Sequence, residues 1–181
     1  MRIVPLFLLI AGPAIAGTCP EPPDHSDAVR ALIAAAQEAP DESTGRQISN
    51  RMWEYWTDAP DDRAQGLLDE GMTRREAHDL AGAHDAFDAL VKYCPDYAEG
   101  YNQRAFVNYL RRDFAAALPD LERALELSPN HVAAMTGQAL TLMGLDRNAE
   151  AAVVLRAALE LNPWLSERHL LPMLAAEEDE I

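Results

Sequence analysis

The side chains that could perform acid–base, nucleophilic or metal chemistry are few and lie far apart in the sequence. His78 and His84 are six residues apart, so a helix does not bring them to one face as a spacing of three or four would. The chain has no Gly-x-Ser-x-Gly, His-Glu-x-x-His or Gly-rich phosphate-binding motif. We therefore expect no catalytic activity, no metal site and no cofactor.

The overall charge also limits the partners that the chain can have. There are 30 acidic and 15 basic residues among 181, which gives a formal net charge of −15. An anionic surface repels phosphate backbones, so nucleic-acid binding is not expected. Hydrophobic residues make up 49% of the chain, which is typical of a folded domain rather than of a disordered one.

Residues 1–16 have the pattern of a secretory signal peptide. Arg2 precedes an uncharged, mostly apolar stretch, and Ala14-Ile15-Ala16 places small residues where a signal peptidase cleaves, before Gly17. We expect a periplasmic or secreted protein with no stable membrane insertion after cleavage. The alternative is an uncleaved or lipidated N-terminus, which would make the protein a membrane-anchored subunit of a cell-envelope assembly. Thr18, directly before Cys19, does not fit a lipoprotein signal.

The chain has two cysteines, Cys19 and Cys94, and no Cys-x-x-Cys motif for redox catalysis. In an oxidising compartment such a pair forms a disulfide more often than two free thiols. We therefore predict a Cys19–Cys94 bond. The alternative is a buried Cys94 and a free Cys19 in the N-terminal tail.

Three prolines, Pro95, Pro129 and Pro163, are spaced 34 residues apart and mark an internal repeat. They close three segments of similar pattern, residues 64–97, 98–131 and 132–165. Each segment has a small residue at its eighth and twentieth positions and a large apolar residue at its twenty-fourth. In the second segment these residues are Ala105, Ala117 and Leu121.

This 34-residue pattern resembles the tetratricopeptide repeat (TPR), in which each repeat is a pair of antiparallel helices. The resemblance implies an all-α solenoid of three clear repeats with flanking helices. Residues 17–63 contain a tail and a predicted helical hairpin, which could be a degenerate fourth repeat. Residues 166–181 are predicted to form a capping helix, shortened or kinked near Pro172, and an acidic tail.

In TPR proteins the functional surface is usually a concave groove lined by the first helix of each repeat. The resemblance places the following residues in this groove: Leu68, Met72, Arg75, Asn102, Gln103, Phe106, Tyr109, Leu110, Leu140 and Met143. A subset of the family holds a carboxylate with Lys, Asn and Arg, but the matching positions here are Leu68, Met72, Gln103, Ala133 and Gly137. The apolar stripe suits a helical or extended segment of a partner protein. Alternatively, the flanking helices fill the groove and make it part of the core.

Polar residues also occur at two positions where the family is usually apolar, and they are Glu70, Arg74, Arg104, Asn108 and Gln138. Equivalent positions of stacked repeats are neighbours, so Glu70–Arg104 and Arg74–Asn108 are predicted to form a polar ladder. A buried charge must be paired, because an unpaired one costs several kcal/mol. The ladder is either a network complete in itself or a site where Arg74 and Arg104 receive a partner's carboxylate. We expect a secreted, non-enzymatic protein-interaction scaffold.

Overall fold

The computed structural model describes residues 18–178, and in this range every regular element is a helix. Nine α-helices and one short 3-10 helix follow one another: α1 (Ser26–Gln37), α2 (Glu42–Trp56), α3 (Asp62–Glu76), α4 (Leu80–Tyr93), α5 (Ala98–Leu110), α6 (Phe114–Leu127), α7 (Val132–Gly144), α8 (Asn148–Leu161), the 3-10 helix (Ser166–Leu170) and α9 (Leu171–Glu178). The predicted signal peptide, residues 1–16, and the end of the predicted acidic tail, residues 179–181, lie outside the described residues.

Helices α3 to α8 form three hairpins, and each hairpin packs against the next. The predicted all-α solenoid is thereby confirmed. Small residues allow the two helices of a hairpin to approach closely, as the repeat pattern requires. At Gly71 of α3, an added β-carbon would overlap the ring of Phe87 on α4, and both residues are buried. Ala105 and Leu121 share a core cluster in the second hairpin in the same way.

The turn inside each hairpin repeats with the same 34-residue period. His78, Arg112 and Asp146 all have positive φ angles, of 62°, 61° and 59°. After each of them, a backbone N–H bonds to a carbonyl five residues earlier, as in Asp113 N–H to the Asn108 oxygen at 2.9 Å. This pattern is a Schellman motif, which ends the first helix and satisfies its last carbonyls.

The N-terminal hairpin, α1–α2, does not continue the solenoid as a fourth repeat. Its apolar face packs against the third repeat and the segment that follows it, and shares a cluster with Val132, Leu161 and Leu165. The indole Nε1 of Trp164 donates to the Ala36 carbonyl at 2.9 Å, and its ring fills the space beside Gly45. The hairpin is therefore not stacked on the first repeat in the way a further repeat would be, because the surface it packs on lies more than 100 residues away.

The C-terminal residues cover the end of the stack that the third repeat forms. The 3-10 helix leads into α9, which packs against α8 and buries Leu174 completely. Pro172 lies in the first turn of α9, where a missing N–H costs nothing. Among residues 18–178, the helices are all too short or too polar to cross a bilayer.

Candidate partner-binding cleft

The first helices of the three repeats, α3, α5 and α7, form most of a cleft of about 480 Å³. Seven of the ten predicted groove residues line it: Met72, Arg75, Asn102, Gln103, Phe106, Tyr109 and Leu140. The lining is mainly apolar, and Phe106 is 43% exposed although its side chain is large and hydrophobic. A concave, mostly apolar surface with a few polar groups is the usual form of a binding site.

Three predicted groove residues lie elsewhere. Leu68 is fully buried in the core of the first repeat with Phe87 and Leu90, so it does not face the cleft. Met143 packs against the core cluster that α6, α7, α8 and α9 share. Leu110 is exposed at the end of α5, beyond the residues that line the cleft.

The family pattern could not predict the wall of the cleft that comes from outside the repeats. Trp53 of α2 and the segment after α8 line this side, the latter with Leu165 and Glu167. They reach the cleft because α1–α2 packs against the third repeat. The alternative that flanking helices occupy the groove therefore holds in part: the hairpin forms one wall and leaves the rest open.

Arg75 is the only basic residue among those that line the cleft in the described part of the chain. Its Nη1 donates to Oε1 of Gln103, and its guanidinium lies 5.1 Å from the centroid of the Phe106 ring. Within residues 18–178, no carboxylate oxygen lies within ion-pair distance of it. Burial lowers the pKa of Arg75, against the weaker attraction of Glu76 and Glu99.

A buried polar network lies behind Arg75. Glu99 is only 1% exposed and accepts hydrogen bonds from Gln103 and, at 3.0 Å, from Asn102. It is also 2.8 Å from Nε2 of His131, which is equally buried. The carboxylate of Glu99 thus has three polar partners, as a buried charge requires.

His131 connects this network to the hairpin. Its Nδ1 accepts the N–H of Ala134 and caps α7, so its Nε2 is the nitrogen that donates to Glu99. Its ring stacks on Trp56 of α2 with the centroids 4.2 Å apart. The hydroxyl of Tyr97 donates to the Trp56 carbonyl at 2.7 Å. The C-terminal end of α2 therefore lies against the starts of both α5 and α7.

The predicted polar ladder between repeats does not form as proposed. Arg104 does not bond to Glu70. It makes a two-pronged ion pair with Asp120 of α6, at 2.8 and 2.6 Å, and a further one with Asp88 of α4 at 3.0 Å. These carboxylates raise the pKa of Arg104, the hydrogen bonds to Asp120 most of all. The prediction was wrong because the acids beside Arg104 lie on α4 and α6, and not on α3.

Arg74 does not bond to Asn108 either. It pairs with Glu70, one turn earlier on the same helix, and with Asp79, both at 2.9 Å. Asn108 is buried on α5, and Gln138 is half-buried on α7. Since Arg74 and Arg104 already hold two carboxylates each, neither awaits the carboxylate of a partner.

A disulfide joins Cys19 to Cys94, whose Cα atoms are 5.1 Å apart. Cys94 ends α4 and is buried in the core of the first repeat, where Cys19 packs against it. The bond therefore fastens the segment before the hairpin to the first repeat.

Comparisons with known proteins agree with this architecture. The Tetratricopeptide repeat family model matches residues 98–131, the bounds predicted for the second repeat. The Tetratricopeptide repeat protein 36 homolog of Nematostella vectensis is 42% identical over 72 residues, which is 40% of each chain. A TPR repeat-containing protein of Rhizobium etli is 28% identical over 102 residues, 56% of this chain and 50% of that one. The matches thus span half or less of the length of these relatives.

Solved structures share the fold at lower sequence identity. The first TPR of Spaghetti (RPAP3), bound to the HSP90 peptide SRMEEVD, has a TM-score of 0.63 at 20% identity and covers 65% of this chain and 94% of that one. The MamA RS-1 ArsTM double mutant has a TM-score of 0.60 at 16% identity, with 87% of each chain covered. The matched repeat, the related sequences and the shared fold show that residues 98–131 match the tetratricopeptide repeat and that the chain resembles tetratricopeptide-repeat proteins in sequence and fold.

Proposed function

We propose that this protein is an exported scaffold that binds a short segment of a partner protein in the cleft and performs no chemistry. The observation that carries the proposal is the open, mostly apolar cleft between α3, α5 and α7. Apolar side chains exposed together mark interaction sites, because leaving them in water is unfavourable. Proteins with this fold include one bound to an HSP90 peptide and the TPR2B domain of yeast Sti1 in a pHsp70 complex, which supports protein binding here.

The shape of the cleft favours a short segment over a long helix that runs through the groove. Trp53, Leu165 and Glu167, which come from outside the repeats, wall off part of the groove. A volume of about 480 Å³ is in the range of small-ligand pockets, so it holds a few side chains of the partner. The partner is therefore expected to insert two or three apolar side chains.

The export part of the proposal rests on residues 1–16 and on the disulfide. Disulfides persist in oxidising compartments and are rare in the cytosol. A Cys19 sulfur bonded to Cys94 cannot also carry a lipid thioether, so the bond argues against the lipidated form of the anchored alternative. The intact mass of the protein recovered from the cell envelope tests this: a chain that begins at Gly17 is expected, whereas lipid on Cys19 would contradict it.

Site-specific photocrosslinking tests the binding function. A benzophenone amino acid replaces Phe106 in the cleft or, as the control, Val153 of α8, which is 61% exposed outside the cleft. A partner crosslinked from position 106 but not from position 153, and lost when Leu140→Glu is added, is the expected result. Equal crosslinking from both positions, or none from position 106, would contradict the proposal. Circular dichroism of each variant controls for folding.

A further inference from the structure

The cleft contains a positive charge, that of Arg75, to which no carboxylate among residues 18–178 is directly bound. Arg74 and Arg104 each bond to two carboxylates, whereas the hydrogen-bond partner of Arg75 is the neutral amide of Gln103. A guanidinium has five N–H donors in a planar fork that matches a carboxylate. The single bond to Gln103 leaves most of these donors for a ligand.

The nearest internal acids do not take the place of that ligand. Glu99 attracts Arg75 but already accepts from Asn102 and Gln103 and bonds to His131. Burial nevertheless outweighs this attraction, because the pKa of Arg75 is lowered overall. A carboxylate that entered the cleft would restore the stabilisation that the charge loses by burial.

The surroundings of Arg75 specify what accompanies the carboxylate. The Phe106 ring lies beside the guanidinium, and Met72 and Leu140 line the same cleft. Glu167 lies in the wall formed by the C-terminal segment, where it would repel an acid. The acidic group therefore belongs on the α3 side of the cleft, next to an apolar residue that fills the space between α5 and α7.

We propose that the partner segment carries an Asp or Glu side chain that pairs with Arg75, adjacent to an apolar side chain that packs on Phe106. This inference rests on the proposed function and adds the chemistry of the partner. The net charge of −15 repels an acidic segment at a distance, but at physiological salt this repulsion is screened beyond about 8 Å. Contact inside the cleft is screened much less.

Selection from a library of random seven-residue segments displayed on phage tests this chemistry. The library is selected on the wild-type protein and, in parallel, on Arg75→Gln, on Phe106→Glu and on the control Arg74→Gln. Arg74 is the adjacent arginine, and it does not line the cleft. Segments that require Phe106 are expected to be rich in Asp or Glu beside an apolar residue. This enrichment is expected to persist on Arg74→Gln and to disappear on Arg75→Gln.

The most enriched segment is then synthesised with its acid as Asp or as Asn, acetylated and amidated so that no terminal carboxylate remains. The wild type is expected to bind the Asp form about tenfold more tightly, since a charge-assisted bond is about twice as strong as a neutral one. Phe106-dependent segments without an acid would overturn this inference and leave the proposed function standing. A preference for Asp that survives in Arg75→Gln would also overturn it. If no segment depends on Phe106, the proposed function itself fails.

Discussion

An arginine inside the stack of repeats and an arginine in the cleft have different partners. Arg104 of α5 makes three hydrogen bonds, to Asp88 of α4 and to Asp120 of α6. Arg75 reaches α5 from the other side and bonds to the amide of Gln103 beside the exposed ring of Phe106. Arg104 is fully paired with carboxylates of the folded chain and stabilises it, whereas Arg75 can still bind a carboxylate. A charge is therefore a candidate for recognition when its own fold leaves it without an acid.

The hairpin α1–α2 and the stack of repeats differ in how far apart in sequence their packing partners lie. Each repeat packs on its sequence neighbour, whereas the hairpin packs on the third repeat through contacts such as Gln37 to the Glu160 carbonyl. The stack is thus stabilised by local contacts, and the wall of the cleft by contacts across the whole chain. Mutations in the two regions should have separable effects on stability and on binding.

The largest expected effect concerns the bond that fastens the segment before the hairpin to the stack. Cys19→Ser opens a disulfide that spans 75 residues, and the free energy of unfolding should fall by about 4 kcal/mol. Urea denaturation followed by circular dichroism measures the loss. Wild type in reductant is the matched control and should lose the same amount. Loss below about 1 kcal/mol would mean that this tether contributes little to the fold.

Arg104→Ala should cost about 3 kcal/mol, because it leaves the nearly buried Asp120 without its counter-charge. Arg74→Ala is the control and should cost under about 1 kcal/mol, since its ion pairs are almost half exposed. Arg75→Gln should likewise leave stability almost unchanged. Equal destabilisation by Arg75→Gln and Arg104→Ala would erase the difference between the two sites.

Gly45→Ala should destabilise the protein by about 2 kcal/mol, because the added carbon overlaps the Trp164 side chain that joins the hairpin to the stack. Gly66→Ala on α3 is the matched control, since the β-carbon there meets no other atom. It should stabilise the protein by about 0.5–1 kcal/mol through helix propensity. Thermal unfolding measures both. If the two variants behaved alike, the packing of the hairpin against Trp164 would be refuted.

The smallest effect is expected at the turns inside the repeats. His78→Gly should raise the free energy of unfolding by about 0.5 kcal/mol, because glycine adopts the positive φ of 62° without steric cost. His78 does not itself line the cleft, and glycine keeps its backbone N–H bond to the Arg75 carbonyl, so peptide binding should not change. A loss of stability in this variant would contradict the assigned turn geometry.

The repeats could be predicted from the sequence because their packing is local and periodic. The spacing of Pro95, Pro129 and Pro163, together with the small and large residues between them, gave the TPR resemblance that implied three hairpins, and the pairing of Gly71 with Phe87 followed the family pattern. The partners of Arg104 could not be predicted in this way. They depend on which side chains α4 and α6 turn towards α5, and this is set by packing rather than by period.

The cleft was predictable only in part for the same reason. Positions on the first helices identified seven lining residues, but Leu68 is rotated into the core. Trp53 and Leu165 line the cleft because the hairpin docks on the third repeat and the segment after it, a contact that the repeat pattern does not encode. Arg75 was among the predicted groove residues, but its lack of an acidic partner became visible only with the side chains in place.

A double-mutant cycle tests the central claim most directly. The Asp and Asn forms of the selected segment are titrated into wild type and Arg75→Gln, and the four dissociation constants are measured under identical salt conditions. Our account predicts that the wild type prefers Asp about tenfold and that Arg75→Gln binds both forms equally, with thermal stability unchanged. The same preference for Asp in both proteins would contradict the assignment of Arg75 as the group that recognises the partner.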